Sequence, residues 1–195
     1  MGDHALNCER SLSDPKGFWL QAADLIDWDA LPSHALDDTE APFYKWFPDG
    51  RLNTCANALD RHVDNGFGER TALIWDSAMV PAKKSFTYRE LRDEVARVAG
   101  ALRTLGVGKG DRVIVYMPMV PEAVMTMLAC ARIGAVHSVV FGGFAPKELA
   151  ARIQDARPKV VVAASCGIEP TRVVAYQPIL DQALEMSGHR PDHML

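Results

Sequence analysis

Arg112-Val113-Ile114-Val115-Tyr116, Ala135-Val136-His137-Ser138-Val139-Val140 and Lys159-Val160-Val161-Val162-Ala163 are three apolar runs, each of strand length. Helical patterns fill the intervals near Pro121–Ile133 and Pro146–Ala156. Strands apolar on both faces, joined by single helices, imply right-handed βαβ units in a parallel sheet covered on both sides. The fold class is α/β. Working upstream, Ala72-Leu73-Ile74-Trp75 is a short strand, and Ser85-Phe86-Thr87-Tyr88 is placed to pair with it. Thr87-Tyr88-Arg89-Glu90 fits a capping box, in which Thr87 and Glu90 each satisfy a free backbone donor. The helix that follows puts Leu91, Val95, Val98, Leu102 and Leu105 on one face and ends at Gly106. Downstream, a last helix is predicted from Pro178 to Met186.

Residues 1–70 have a different texture, rich in Trp, Pro, Asp and Asn, with short helical pieces and no alternating strand pattern. Asp14 before Pro15 suits a helix start, since Asp caps free N–H groups and Pro needs no donor there. Asn53 to His62 reads as a helix, with Ala56, Leu59 and Val63 at three- and four-residue spacing. The expected organisation is therefore an irregular appendage over 1–70 and an α/β domain over 71–195.

Composition narrows the function classes. Of 195 residues, 48% are hydrophobic and 24% charged, enough to bury a core. A net charge of −4 argues against nucleic acid as a partner, which would need a basic stripe. No apolar run of about 18 residues is present, so no membrane span is expected. The first residues carry an acid where a secretory signal wants basic groups, and Leu6 in place of Ser or Thr removes a myristoylation reading of Gly2. Cys8, Cys55, Cys130 and Cys166 form no C-x-x-C pair, which disfavours zinc and disulfides. Cys130, inside an apolar helical run, is expected to be a buried thiol. The compartment expected from these features is cytoplasmic.

Ligands of open parallel sheets gather outside the carboxyl ends of the strands. Three loops qualify: Met117–Glu122, Phe141–Pro146 and Ala164–Arg172. In the second, Gly142 and Gly143 could let a ligand approach the backbone, or could simply permit a tight turn; both readings are open. Gly106-Val107-Gly108-Lys109-Gly110 is not a phosphate loop, because it precedes a strand and lacks the required spacing. Asp60-Arg61-His62-Val63-Asp64 reads as a solvated helix face with local ion pairs. His137, in an apolar strand, reads as a hydrogen-bonded core histidine. No G-x-S-x-G, no H-E-x-x-H and no flanking pair of carboxylates is found.

Several blocks together resemble AMP-forming acyl-CoA synthetases of the acetyl- and propionyl-CoA type. They are Trp46-Phe47-Pro48-Asp49-Gly50-Arg51-Leu52-Asn53 with Asn57 and Asp60-Arg61-His62; Ser85–Leu91; Tyr116-Met117-Pro118-Met119; Ala129–Ala135; and Phe141-Gly142-Gly143-Phe144. The likeness runs from about Phe43 to the last residue. Ser165-Cys166-Gly167-Ile168-Glu169-Pro170, leading to Arg172, is similar to the propionate–CoA ligase branch. The resemblance implies that Phe141, Gly142 and Gly143 line the coenzyme A entrance. It also implies that Arg172 lies near the phosphorylated adenosine end of coenzyme A. Glu169 stands where acetyl-CoA synthetases tend to carry another arginine, a departure that would repel a phosphate.

The implied fold is the incomplete N-terminal part of an adenylate-forming core. The implied reaction has two steps: a carboxylate attacks the α-phosphate of ATP, giving acyl-AMP and pyrophosphate, and the coenzyme A thiol then displaces AMP. Coenzyme A and ATP with Mg²⁺ are thus the expected substrates of the parent enzyme, with neither bound tightly by this segment alone. The Ser/Thr/Gly-rich loop with its lysine, the ribose aspartate and the lid lysine of such enzymes have no counterpart in these residues. No catalytic residue and no metal ligand is assigned. Pro191-Asp192-His193-Met194-Leu195 resembles the run into another core strand, so the segment is expected to be truncated and inactive alone. The alternatives are a stand-alone coenzyme A-binding module, or acetate in place of propionate as the parent substrate.

Overall fold

Asp14 separates two helices, α1 (Asp3–Ser13) and α2 (Pro15–Ala22), and caps the second. Its Oδ1 accepts the Gly17 N–H at 3.0 Å, and Pro15 takes the first helical position, as the sequence predicts. The computed structural model describes residues 3–195; Met1 and Gly2, considered above as an acylation site, lie outside the described residues. The chain forms two compact units, one ending at Asn53 and the other spanning Thr54–Leu195.

In the first unit, strands β1 (Leu36–Asp37) and β2 (Lys45–Trp46) form an antiparallel ribbon. Two residues per strand are too few to show an alternation, so the sequence carries no strand signal there. The stretch Trp46–Asn53 folds back on Trp28. The Trp28 and Phe47 rings meet edge to face at 5.3 Å, and a Cβ at Gly50 would stand 2.6 Å from Trp28 Cζ3. Asp49 accepts both the N–H and the hydroxyl of Ser33, and Arg51 pairs through its backbone with Ala30.

The second unit opens with a helical segment containing two π-helical turns, Ala56–Asp60 and Val63–Phe67, the second broken by Gly66 at φ 84°. Cys55 and Leu59 from this segment are buried in the unit's core. Asp60 is a correction to the solvated-face reading, because it forms a part-buried ion pair with Arg132. His62 stacks on Tyr88 at 4.6 Å.

A hairpin of β3 (Thr71–Asp76) and β4 (Lys83–Thr87) leads into helix α3 (Tyr88–Thr104). The predicted capping box is present: Thr87 Oγ1 accepts the Glu90 N–H at 3.2 Å, and Glu90 Oε2 accepts the Thr87 N–H at 2.8 Å. At the other end Val107 N–H donates to Leu102 O and Gly106 N–H to Arg103 O, a Schellman closure around Gly106 at φ 79°.

Then follow β5 (Arg112–Met117), α4 (Pro121–Ile133), β6 (Val136–Phe141), α5 (Pro146–Ala156) and β7 (Val160–Ala163). A hairpin of β8 (Cys166–Ile168) and β9 (Val173–Ala175), helix α6 (Gln177–Met186) and β10 (His193–Met194) complete the chain. The central sheet is parallel with order β10-β7-β5-β6. Alternate residues of β5 face opposite layers: Val113 joins the core with α3 and α4, while Ile114 and Tyr116 join the core with α5 and α6. Cys130 is buried, as expected.

Full coverage on both faces holds for β5 and β7 but not for β6. That strand is the sheet's edge; Val140 is buried, while Val136, Val139 and Phe141 are exposed. His137 is accordingly half-buried and not a core residue.

Candidate functional site

The carboxyl ends of β5, β6 and β7 lie side by side, since Met117 pairs in register with Phe141 and Tyr116 with Ala163. The loops leaving these ends are the three singled out in the sequence. The first is held from the side by Trp75, whose indole N–H donates to Met119 O at 2.8 Å.

The second loop leaves β6 at Phe141, a residue 67% exposed. Its ring folds over Gly143, where a Cβ would come within 2.9 Å of Cε1, and it meets Phe144 edge to face at 5.8 Å. Tyr116, fully buried on β5, fixes the turn from beneath: its hydroxyl donates to Gly142 O at 3.4 Å and Phe144 O at 3.3 Å. A buried tyrosine hydroxyl needs such partners, and here backbone carbonyls of the turn supply them.

The third loop proves to be the β8–β9 hairpin. Glu169 N–H donates to Arg172 O at 2.9 Å across its tip, and Tyr176 N–H donates to Ser165 O at 3.0 Å across its base. Arg172 Nε donates to Glu169 Oε2 at 2.8 Å, with side chains 68% and 42% exposed. That hydrogen bond and the carboxylate's charge raise the Arg172 pKa further, so its positive charge is secure.

Loop and hairpin meet at Tyr176. This ring is buried, lies 4.8 Å from the Tyr116 ring at an interplanar angle of 36°, and ends between two glycines. A Cβ on Gly142 would stand 2.2 Å from its hydroxyl oxygen, and a Cβ on Gly167 would stand 2.3 Å from the same atom. Burial first, and then the charge of Glu169, push the Tyr176 phenol pKa upward, so it is a neutral hydroxyl at ordinary pH.

The structure therefore brings the Phe141–Gly142–Gly143 turn against the strand that leads to Glu169 and Arg172. The two tip side chains pair with each other, and among the described residues no hydrogen bond joins them to the turn. Sequence reasoning missed Tyr116, Gly167 and Tyr176. A tyrosine ending an otherwise aliphatic strand is a usable signal for Tyr116, because its hydroxyl must find a partner. Tyr176 lies between a hairpin and a helix and carries no periodic signal. Among the described residues, no three His, Cys, Asp or Glu side chains come together as a metal site, and no helix is long and apolar enough to cross a membrane.

Two family models match the chain. The one described as AMP-binding enzyme matches residues 59–192, and the one described as acetyl-coenzyme A synthetase N-terminus matches residues 6–58. An uncharacterized protein of Pseudomonas aeruginosa is 56% identical over 95% of this chain and 30% of its own length. The mitochondrial acyl-CoA synthetase short-chain family member 3 of Mus musculus is 49% identical over 100% of this chain and 28% of its own. Propionate–CoA ligase of Escherichia coli is 48% identical over 96% of this chain and 30% of its own. The chain thus spans less than a third of the length of these relatives.

Proposed function

The chain belongs to the AMP-binding enzyme family of acyl-CoA synthetases, and from that premise we propose that it carries the coenzyme A edge of a propionate-type ligase. The observation that supports this reading is the junction at Tyr176. It sets an exposed aromatic ring, a side-chain-free glycine turn and an arginine-bearing hairpin at the carboxyl edge of one parallel sheet. Phe141 offers a face for a planar base, Gly142 and Gly143 let a ligand chain approach the backbone, and Arg172 supplies charge for a phosphate. Glu169 tempers that charge. The likeness of the 165–172 stretch to the propionate branch, and the similarity to propionate–CoA ligase of Escherichia coli, favour propionate over acetate.

The overall reaction in this proposal joins a carboxylate to ATP, releasing pyrophosphate, and then transfers the acyl group from AMP to the coenzyme A thiol. Within these residues no side chain is assigned to the phosphoryl step. The 195-residue chain is therefore proposed to bind coenzyme A without forming acyl-AMP. Mg²⁺ and ATP belong to the larger reaction, and a cytoplasmic location is part of the same proposal.

Calorimetric titration with coenzyme A, dephospho-coenzyme A and ATP tests it, together with hydroxamate trapping of acyl-AMP from propionate and ATP. The expected result is binding of coenzyme A in preference to the dephospho form, with no trapped hydroxamate. Equal affinity for the two forms would remove the phosphate role of Arg172, and trapped propionyl hydroxamate would overturn the inactivity.

A further inference from the structure

We propose that Tyr176 is a positioning residue that sets the gap between the glycine turn after β6 and the β8–β9 hairpin. Four observations converge on it. Its backbone closes the hairpin's base by donating to Ser165 O at 3.0 Å, and its carbonyl accepts the Leu180 N–H at 2.9 Å in the first turn of α6. The residue is only 5% exposed, and its ring lies against Tyr116, the residue whose hydroxyl holds the carbonyls of Gly142 and Phe144. Its hydroxyl end occupies the space that a Cβ would need at both Gly142 and Gly167, at 2.2 and 2.3 Å. Finally, the turn and the hairpin are connected in sequence only through α5 and β7, so nothing local dictates their separation.

A buried ring clamped in this way cannot yield, because close-packed interiors transmit a displacement instead of absorbing it. The two glycines therefore rest against opposite sides of one rigid spacer. Widening or collapsing that spacer moves Phe141 relative to Arg172 without touching either. Tyr116 fixes the shape of the turn, and Tyr176 fixes how far the hairpin stands from it. The spacing claim stands independently of any ligand; its consequence for affinity rests on the coenzyme A reading.

The experiment uses the whole chain with Tyr176→Phe, Tyr176→Leu and Gly167→Ala, following backbone hydrogen exchange by mass spectrometry and coenzyme A affinity by calorimetry. Tyr176→Leu is expected to speed exchange in Gly142–Phe144 and in Cys166–Ile168 together, while α3 and α4 keep wild-type protection. Tyr176→Phe, which keeps the ring, is expected to leave both stretches near wild type. Gly167→Ala should perturb Gly142–Phe144, a segment it does not adjoin in sequence, and combining it with Tyr176→Leu should weaken that effect. For coenzyme A the expected result in Tyr176→Leu is a measurable loss of affinity relative to the wild type.

Exchange confined to one stretch, or a Gly167→Ala effect unchanged in the Tyr176→Leu background, would overturn the positioning role. Coupled exchange without any coenzyme A binding by the wild-type chain would leave the spacer standing and remove the ligand reading instead. If Tyr176→Leu does not fold, Tyr176→Phe and Gly167→Ala decide the matter: perturbation of Gly142–Phe144 by Gly167→Ala supports the spacer, and its absence refutes it.

Discussion

Arg172 Nε donates to Glu169 Oε2 at 2.8 Å, so the hairpin's cation is held by a carboxylate three residues away. The pair lies at the tip, where Glu169 N–H also donates to Arg172 O. Its chemical consequence is an exposed arginine whose field is largely cancelled from within its own turn. Glu169→Gln should release that field and tighten coenzyme A binding by about two- to fivefold at low salt, the scale set by exposed charge pairs. Arg172→Ala should weaken binding, and both effects should shrink as salt is raised, because exposed charges are screened over about 8–10 Å. Dephospho-coenzyme A should register neither substitution. Titration of the three proteins with both ligands, at two salt concentrations, checks all of this.

A second ion pair has a structural role. Arg132 on α4 donates through Nη1 and Nη2 to Asp60 Oδ1 and Oδ2 at 3.2 and 2.6 Å, with side chains 25% and 28% exposed. The arrangement is bidentate, which is the stronger geometry for a guanidinium and a carboxylate. It fastens the π-helical segment to the parallel sheet's helix layer beside the buried Cys55. Asp60→Ala should cost about 2 kcal/mol, the usual range for losing a charged hydrogen-bonding partner at a part-buried site. Urea unfolding would measure it, with Asp60→Asn expected to recover part of the loss.

The α3 cap gives a cleaner local test. Thr87→Ala removes the acceptor for the Glu90 N–H and should destabilise the chain by about 1 kcal/mol. Glu90→Ala removes the reciprocal acceptor for the Thr87 N–H. Because the two bonds form one motif, the double substitution should cost less than the sum of the singles. Thermal or urea unfolding of the three variants provides the cycle.

The elements that were legible in the sequence are those whose signal is local. Thr87 and Glu90 mark a helix start, Gly106 marks its end with positive φ, and Pro121 and Pro146 occupy first helical turns. The buried strands β5 and β7 were legible as apolar runs. The unread features depend on partners distant in sequence. The β8–β9 hairpin has three residues per strand, too few for an alternation, and its base closes at Tyr176, whose ring packs on Tyr116. The exposure of β6 depends on its having one hydrogen-bonded neighbour, which no periodicity encodes. Asp60 looked like part of a solvated charge run because Arg132, its partner, lies 72 residues away. Among the candidate site residues, the motif at Phe141–Gly143 was visible as glycines after a strand. Its meeting with the hairpin was not.

The four cysteines should divide by burial. Cys8 is exposed and Cys166 half-buried, whereas Cys55 and Cys130 are buried. Burial pushes the Cys130 thiol up to about 11 and raises that of Cys55 as well. Only the thiolate reacts, so both should resist a disulfide reagent near neutral pH until the chain unfolds. The native protein is expected to release reagent quickly at Cys8 and more slowly at Cys166. Denaturant should then expose the remaining two, as read by absorbance and peptide mass. Coenzyme A at saturation should slow labelling of Cys166 if the ligand lies along the hairpin.

Acid should act on the first unit through Asp49. The Ser33 hydroxyl and N–H both donate to its Oδ2, and these bonds lower its carboxyl from the ordinary 3.8 to about 2. A carboxyl whose folded-state pKa is depressed contributes stability above its unfolded value and loses that contribution as pH falls through the folded value. The relevant window is therefore from about pH 4 down to about pH 2, with no effect from this group near neutrality. Following the Asp49 carboxyl carbon by NMR should give a titration midpoint near 2 in the wild type. Ser33→Ala removes the hydroxyl donor, the larger of the two contributions, and keeps the backbone one. Its midpoint should move upward but stop short of the ordinary 3.8, and an unchanged midpoint would show that the hydroxyl does not hold the carboxylate in solution.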